Sequence, residues 1–589
     1  MLPPLQINHP PRTDPNDLFY GTSGPKNARI MIVGESWGVE EDRRRIPLVG
    51  SSGTDLTKIL ESLGIDRNDC FCTNVVAERP PGNDISKFFF ANWEVKKGLA
   101  GQEYRGLYPR SNIFNGLSRL SRQIDVVKPD IVIGLGNYAL WALTDSCFDV
   151  TNEEGKKVPT GIMKWRGSQL YTTGMRERRK FLPIIHPAAA MRQYFWRFLI
   201  KHDLRVRLAK ALNDPGSWDG PVTNFIVRPS FHIVKATLDE LIARVEAEPT
   251  KLATDIETRN LHIACIGFAW SKTDAICIPL MCVENKQGYW DETEEFEILK
   301  RIRKLLSHPN CIVIGQNFLY DAQYIYRDFL FRCDAQFDTM IAHHLCWPGT
   351  PKGLDYLSSL YCKYHCYWKD ESKTWDKSVG EDQLWRYNCK DAIATFEIAA
   401  VLNEVINDRG LQKPWELQMD QFSLALDMML RGVRIDLEAR ERMRKELEAT
   451  IEATEERIDA LIPPDIYPRK KKATRWFRSP KQQMEIFYDI LGLPVQKHRK
   501  TKRPTINTEA LDTLGRKQPI LKGIFQMLEE LRSLNVFKST FIEAELDVDN
   551  RMRCSFNVAG PETFRWSSNE NAFGTGTNLQ NIPKGTEND

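Results

Sequence analysis

The chain has no uninterrupted run of about 18 apolar residues, the length a helix needs to cross a bilayer. Its first residues, MLPPLQINHPPRTDP, lack the basic segment and apolar core of a secretory leader. Both absences lead us to expect a soluble, cytoplasmic chain without a membrane partner. Cysteine is plentiful, at 13 residues, but the count is odd and the spacing irregular. That speaks against a disulfide framework and for reduced thiols. One set has zinc-like residue types: His343, His344, Cys346, Cys362, His365 and Cys366. It contains no C-x-x-C pair, so core and surface positions are expected there instead of a metal centre. An excess of one charge is lacking too. The 81 Lys and Arg against 78 Asp and Glu leave +3, which by itself implies no class of partner. At 589 residues the chain is too long for one domain, and three or four are expected.

What is present is a series of carboxylates with a tyrosine, in a fixed order. Asp255 and Glu257 lie in LATDIETRNLHIACIGFAW, Asp321 in IGQNFLYDAQYI, and Tyr387 and Asp391 in RYNCKDAIATF. The first segment reads as a strand entering a hairpin. Positions i and i+2 of a strand share a face, so Asp255 and Glu257 point the same way. Tyr387 and Asp391 are four apart in a helical pattern and share a helix face. D-x-E alone is weak: about two are expected by chance in such a chain, and it recurs at Asp436/Glu438. Y-x-x-x-D recurs at Tyr324/Asp328. The whole series, with N-F-L-Y-D between its ends, is far more specific. It suits a site where two hard cations, roughly 3.5–4 Å apart, clamp the oxygens of a phosphodiester. Such cations, Mg²⁺ or Mn²⁺, take oxygen ligands.

Residues 230–405, including DTMIAHHLCWPGTPKGLDYLSSLY, resemble the DEDDy 3′–5′ exonuclease domain of family A DNA polymerases. The resemblance implies a ribonuclease H-like α/β fold. It also implies two metal ions held by Asp255, Glu257, Asp321 and Asp391, with Tyr387 and Glu257 orienting the attacking water. Asn317 would contact substrate or support the site. Ribonuclease D-type RNA exonucleases share the same five residues, so an RNA substrate stays open on the site alone.

Upstream, ARIMIVGE, DIVIGLG (130–136) and KFLPIIHP (180–187) read as buried strands between helical patterns, an α/β domain with a parallel sheet. Functional side chains in such sheets gather at the carboxyl ends of strands, where Glu35, Asn74 and His186 fall. GESWGVEEDRRRIPLVGSSG, TNVVAERPPGN, KPDIVIGLGNYAL and HPAAAMR together resemble family 4 of the uracil-DNA glycosylase superfamily. The resemblance implies a parallel α/β/α sandwich over residues 28–212, behind an N-terminal extension of 1–27. It places Glu35 near the water, Asn74 on a flipped base and His186 at the leaving uracil anion. Two positions depart from the family. Leu48 stands where a phenylalanine stacks on uracil, a contact worth roughly 1–3 kcal/mol, and Trp37 stands where proline is usual. Only Cys70, Cys72 and Cys147 are available in this domain, so no iron–sulfur cluster is expected. NDPGSWDGPV, rich in turn formers, reads as part of a linker over 213–229.

Residues 406–589 are mainly helical in pattern, broken at RGVRID. PETFRWSSNENAFGTGTNLQNIPKG (561–585) gives them a resemblance to the start of a family A polymerase domain, including its thumb. Arg565, Ser567, Ser568, Asn578, Gln580 and Asn581 match polar positions near the primer–template. In this nucleic-acid context RKKKATRWFR and KHRKTKR read as phosphate contacts, with Trp476 and Phe477 interleaved. The residues concerned are Lys470, Lys471, Lys472, Arg475, Arg478, Arg499, Lys500, Lys502 and Arg503. The family's palm and fingers motifs are absent, so this chain is expected not to polymerise alone. It is expected to be a piece of a longer polymerase, or the upstream half of a split one completed by a second polypeptide. The expected function is 3′–5′ exonucleolytic proofreading on DNA 3′ ends in a bacterial or phage-infected cell. The alternative is a non-catalytic DNA-binding and assembly subunit.

Overall fold

The computed structural model describes residues 12–148, 159–285, 287–373, 380–462, 475–499 and 501–582. The chain divides into two compact units: Met1–Asp420 with Pro561–Phe564, and Gln421–Gly560 with Arg565–Asp589. The expected fold classes follow one another along it: a parallel α/β/α sandwich, a mixed ribonuclease H-like α/β sheet and a mainly helical part.

The first sheet holds β1 (Ile30–Gly34), β2 (Phe71–Asn74), β3 (Ile131–Leu135), β4 (Leu170–Tyr171) and β5 (Lys180–Ile184), in the order β2-β1-β3-β5-β4. All neighbours are parallel except β4, which pairs antiparallel with β5. The central strands are apolar throughout because both faces are covered. Met31, Val33 and Val132 face one core with Ile113, Leu120 and Leu140 of the helices Ser111–Val127 and Gly136–Leu143. Ile30, Ile32 and Ile133 face the other with Leu56 and Ile59 of Ser51–Glu61 and Leu199 of Phe195–Asp203. The turn-rich stretch read as a linker packs onto this sheet: Trp218 is buried and its Nε1–H donates to the Leu170 carbonyl at 2.8 Å.

The second sheet holds β6 (Asn224–Ile226), β7 (Thr250–Arg259), β8 (His262–Ala269), β9 (Asp274–Pro279), β10 (Cys311–Gly315) and β11 (Phe337–Asp338), in the order β11-β10-β7-β8-β9-β6. β7, β8 and β9 form an antiparallel meander, and β10 pairs parallel with β7. The long helix Glu381–Asp408 crosses β7, β8 and β9 and seals one face with Cys389, Ala392, Ile398 and Leu402.

In the second unit the RGVRID break has a clear cause. Gly432 takes φ 62° and ends the helix Gln412–Arg431. Val433–Arg434 then pairs with Arg551–Met552, and the Asp436 side chain caps Leu437–Leu461 by accepting from the Glu438 and Ala439 amides. The second D-x-E is therefore a helix cap. Trp476 and Phe477, expected on a DNA-facing surface, are core residues beside Phe487 and Ile458. Among the described residues no helix is long and apolar enough to cross a membrane.

Candidate active site

Asp255 and Glu257 project from one face of β7, and Asp391 from the helix lying across it. Ligand oxygens of the three lie within 4.8 Å of one another, and this is the one metal-capable group found among the described residues. The pairing of β7 with β8 shifts register between Glu257 and Thr258, an irregularity of the kind that sheets place beside sites. Asp321, in the first turn of Leu319–Phe329, accepts from the Ile256 amide at 3.0 Å and so lies against the same strand.

Burial raises the pKa of all three carboxyls that sit on or against β7. For Asp255 the next cause is the charge of Asp391. For Glu257 it is Asp255, then Asp391, and for Asp321 it is Asp255. Repulsion among acidic groups so crowded disfavours ionising all of them at once, and a bound cation would favour the charged forms. The hard oxygen donors and the compact grouping fit divalent Mg²⁺ or Mn²⁺.

Three side chains that no motif indicated hold the cluster. Asn388 Nδ2 donates to the Asp255 carbonyl at 3.1 Å and to its Oδ2 at 2.8 Å. Trp368 Nε1–H donates to Asp391 Oδ1 at 2.6 Å. The Lys369 ammonium bonds the other oxygen, Oδ2, and lies 4.6 Å from the centre of the Tyr387 ring. Burial alone would lower the Lys369 pKa, but Asp391, Asp255 and Glu257 together raise it. Tyr387 is buried, and burial with the charges of Asp391, Glu257 and Asp255 raises its pKa far above the usual range. It acts here as a phenol. Asn317 is exposed just before the Asp321 helix, with φ 57°.

A second cluster forms at the carboxyl edge of the first sheet. A Cβ on Gly34 would stand 3.0 Å from Asn74 Nδ2 and 3.3 Å from Leu48 Cδ2. One on Gly136 would meet Glu35 Oε1 at 2.5 Å and His186 Cβ at 3.1 Å. The glycines at these strand ends thus let four side chains approach. Asn74 is 1% exposed, and its Oδ1 has no hydrogen-bond partner among the described residues. Burial raises the Glu35 pKa to about 7, against the lowering effect of the Tyr138 amide, which donates to Oε1 at 3.0 Å. Burial lowers the His186 pKa to about 4, and its Nδ1 accepts from the Ala188 amide at 3.1 Å. The ring is therefore neutral with its proton on Nε2. Leu48 is buried with φ 56°.

The remaining expected residues are scattered. Arg475 and Arg478 both pair with buried Glu455, at 3.1 and 2.5 Å, while their own side chains stay half exposed. Arg499, Lys502 and Arg503 lie exposed on a hairpin closed by Lys497 and Pro504. Lys470, Lys471, Lys472 and Lys500 fall outside the described residues. Asn578 Oδ1 accepts from the Ser568 hydroxyl and, at 3.0 Å, from the Gln580 amide. Ser567 lies on the hairpin strand Ser567–Glu570, and Arg565, Gln580 and Asn581 are exposed. Of the zinc-like set, His343 is engaged by Tyr361 and Thr350, both at 2.7 Å, and His365 by Ser358 at 3.0 Å. Cys70, Cys72 and Cys147 are buried, each against a backbone carbonyl.

Three family profiles match in order: the uracil DNA glycosylase superfamily over 22–208, a 3′–5′ exonuclease over 233–407, and DNA polymerase family A over 438–589. The DNA polymerase of Bacillus phage SP01 is 23% identical over 95% of this chain and 63% of its own length. DNA polymerase I of Bacillus subtilis is 31% identical over 42% of this chain and 27% of its own length. The chain thus spans under two thirds of either polymerase. The type-4 uracil-DNA glycosylase of Thermotoga maritima is 32% identical over 29% of this chain and 69% of its own length.

Proposed function

We propose that this chain, which belongs to the uracil-DNA glycosylase superfamily through its first domain and carries exonuclease and family A polymerase domains behind it, is the proofreading part of a DNA polymerase. The domains proposed are 28–212, 230–405 and 406–589. The grouping of Asp255, Glu257 and Asp391 within 4.8 Å is the observation that carries the reading. With Asp321 they would hold two Mg²⁺ or Mn²⁺ ions, which when bound neutralise charge and make water a stronger nucleophile.

The chain's own groups do the rest. Glu257 and the Tyr387 phenol orient a water toward the terminal phosphorus. Asn388 and Trp368 keep Asp255 and Asp391 from turning away. The water oxygen bonds to phosphorus as the water gives up a proton, the bond to the 3′ oxygen of the preceding nucleotide breaks, that oxygen takes up a proton to become the new 3′-hydroxyl, and the terminal nucleoside 5′-monophosphate leaves. DNA is the proposed partner, as single-stranded 3′ ends and primer–template. We read the exposed Arg499, Lys502 and Arg503 as contacts to its phosphates, and Arg565, Asn578, Gln580 and Asn581 as residues near the primer.

In the first domain Asn74 Oδ1, without a partner among the described residues, is offered to a base edge, and His186 Nε2–H is a neutral donor. A carboxyl with a pKa of about 7, as for Glu35, suits proton transfer near neutrality. We read this as a pocket that inspects a flipped base.

The test uses a 5′-labelled single strand with one internal deoxyuridine, incubated with Mg²⁺ and either the chain or Asp255→Ala, half of each sample treated with alkali. A ladder shortening from the 3′ end with the chain alone supports the exonuclease; no ladder with either sinks it. An alkali-dependent band at the uracil would show that the pocket also cuts.

A further inference from the structure

Residues 362–373, which follow the helix Leu354–Tyr361, belong by sequence to the exonuclease domain, yet residues of the first domain hold them. The backbone N–H of Gln169 donates to the His365 carbonyl at 2.7 Å. Ser168 Oγ accepts from the Tyr367 amide at 3.1 Å. Lys164 Nζ bonds both carboxylate oxygens of Asp370 at 2.9 Å. Arg207, 1% exposed, donates to the carbonyls of Lys363 at 2.7 Å and Cys362 at 3.1 Å.

The anchors at Tyr367 and Asp370 bracket two residues, Trp368 and Lys369. These are the residues that bond the two oxygens of Asp391. An unbroken series of bonds thus runs from Lys164 and Ser168, through two anchored positions, to a carboxylate of the candidate metal site. Donors that fix a ligating carboxylate set its orientation and hence its metal affinity.

We propose that the first domain positions the exonuclease site: Lys164 and Ser168 are positioning residues that hold Trp368 and Lys369 against Asp391. This rests on the exonuclease reading above. The function of the first domain then extends beyond its own pocket, because removing its grip loosens a carboxylate in the neighbouring site.

The experiment titrates the full chain with Mn²⁺, free ion being followed by electron paramagnetic resonance, beside kcat and KM on single-stranded DNA. Trp368→Phe, which removes a bond to Asp391 directly, is expected to weaken Mn²⁺ binding about 10- to 100-fold. Lys164→Ala, one step removed, is expected to weaken it about 2- to 30-fold and to lower kcat more than it raises KM. Lys164→Arg restores both. Circular dichroism and the melting temperature of Lys164→Ala check that the chain stays folded. If Lys164→Ala binds Mn²⁺ as the wild type does while Trp368→Phe does not, the first domain exerts no hold on Asp391 and the proposal falls. It falls equally if neither variant shifts Mn²⁺ binding. A wild-type chain that binds Mn²⁺ but digests no DNA sinks the exonuclease reading; weakened Mn²⁺ binding in Lys164→Ala would then still support the positioning.

Discussion

Asn388 grips Asp255 twice, at its backbone carbonyl and its carboxylate, while its own Oδ1 is turned toward Gly267 on β8. A methyl group on Gly267 would stand 2.2 Å from that oxygen, so Asn388 would have to move. Gly267→Ala and Asn388→Ala are both expected to slow 3′ digestion about 10-fold or more, measured as the single-turnover rate on a labelled strand. This residue explains what spacing reveals and what it hides. Asp255 with Glu257, and Tyr387 with Asp391, follow from the periods of strand and helix, and the structure brings three of the four carboxylates of the series into one cluster. Asn388 is adjacent in sequence to Tyr387 but carries no period of its own. Trp368 precedes and Lys369 opens a single short 3-10 turn, Lys369–Lys373, too brief for a repeat to relate one side chain to the next. Their role depends on contacts with a different domain, which only tertiary structure supplies.

Elements were legible where a periodic pattern met a chemical stop. The runs at β1 and β3, and at β5 after Lys180, are continuous and apolar because both faces are covered, and Gly34, Gly136 and His186 stand at or just beyond their ends. Aromatic residues among cations misled, because Trp476 and Phe477 are drawn into the core of the helical unit while the arginines beside them pair with Glu455. The turn-rich 213–222 likewise concealed a buried tryptophan. At the pocket edge, Glu35 makes a prediction about pH. Its pKa rises from 4.5 unfolded to about 7 folded, so the folded state holds the extra proton between these values. Stability from this group is therefore greatest below pH 4.5 and falls as pH rises through 7. At 1.36 kcal/mol per unit the cost is on the order of 3 kcal/mol above pH 7. Glu35→Gln removes it, so the variant should gain melting temperature over the wild type at pH 8 and lose that advantage at pH 5.

At the scale of the whole molecule, the proposed function assigns the basic hairpin and the carboxylate site separable tasks. Replacing Arg499, Lys502 and Arg503 by alanine should weaken binding to primer–template and reduce the salt slope by about 3. Digestion of short single strands should be unchanged. The fold classes of all three parts were legible because each carries long periodic segments; the grip of the first domain on the exonuclease segment was not, because it is made by a few polar contacts far apart in sequence. The central claim is that Asp255, Glu257 and Asp391 form a working 3′–5′ exonuclease site. The most direct measurement gives the chain a primer–template whose last primer nucleotide is mismatched and 3′-labelled, with Mg²⁺, beside Asp391→Asn. The account predicts release of that nucleotide as its 5′-monophosphate by the wild type and none by the variant. Release by both, or label retained on the primer with both, would contradict it.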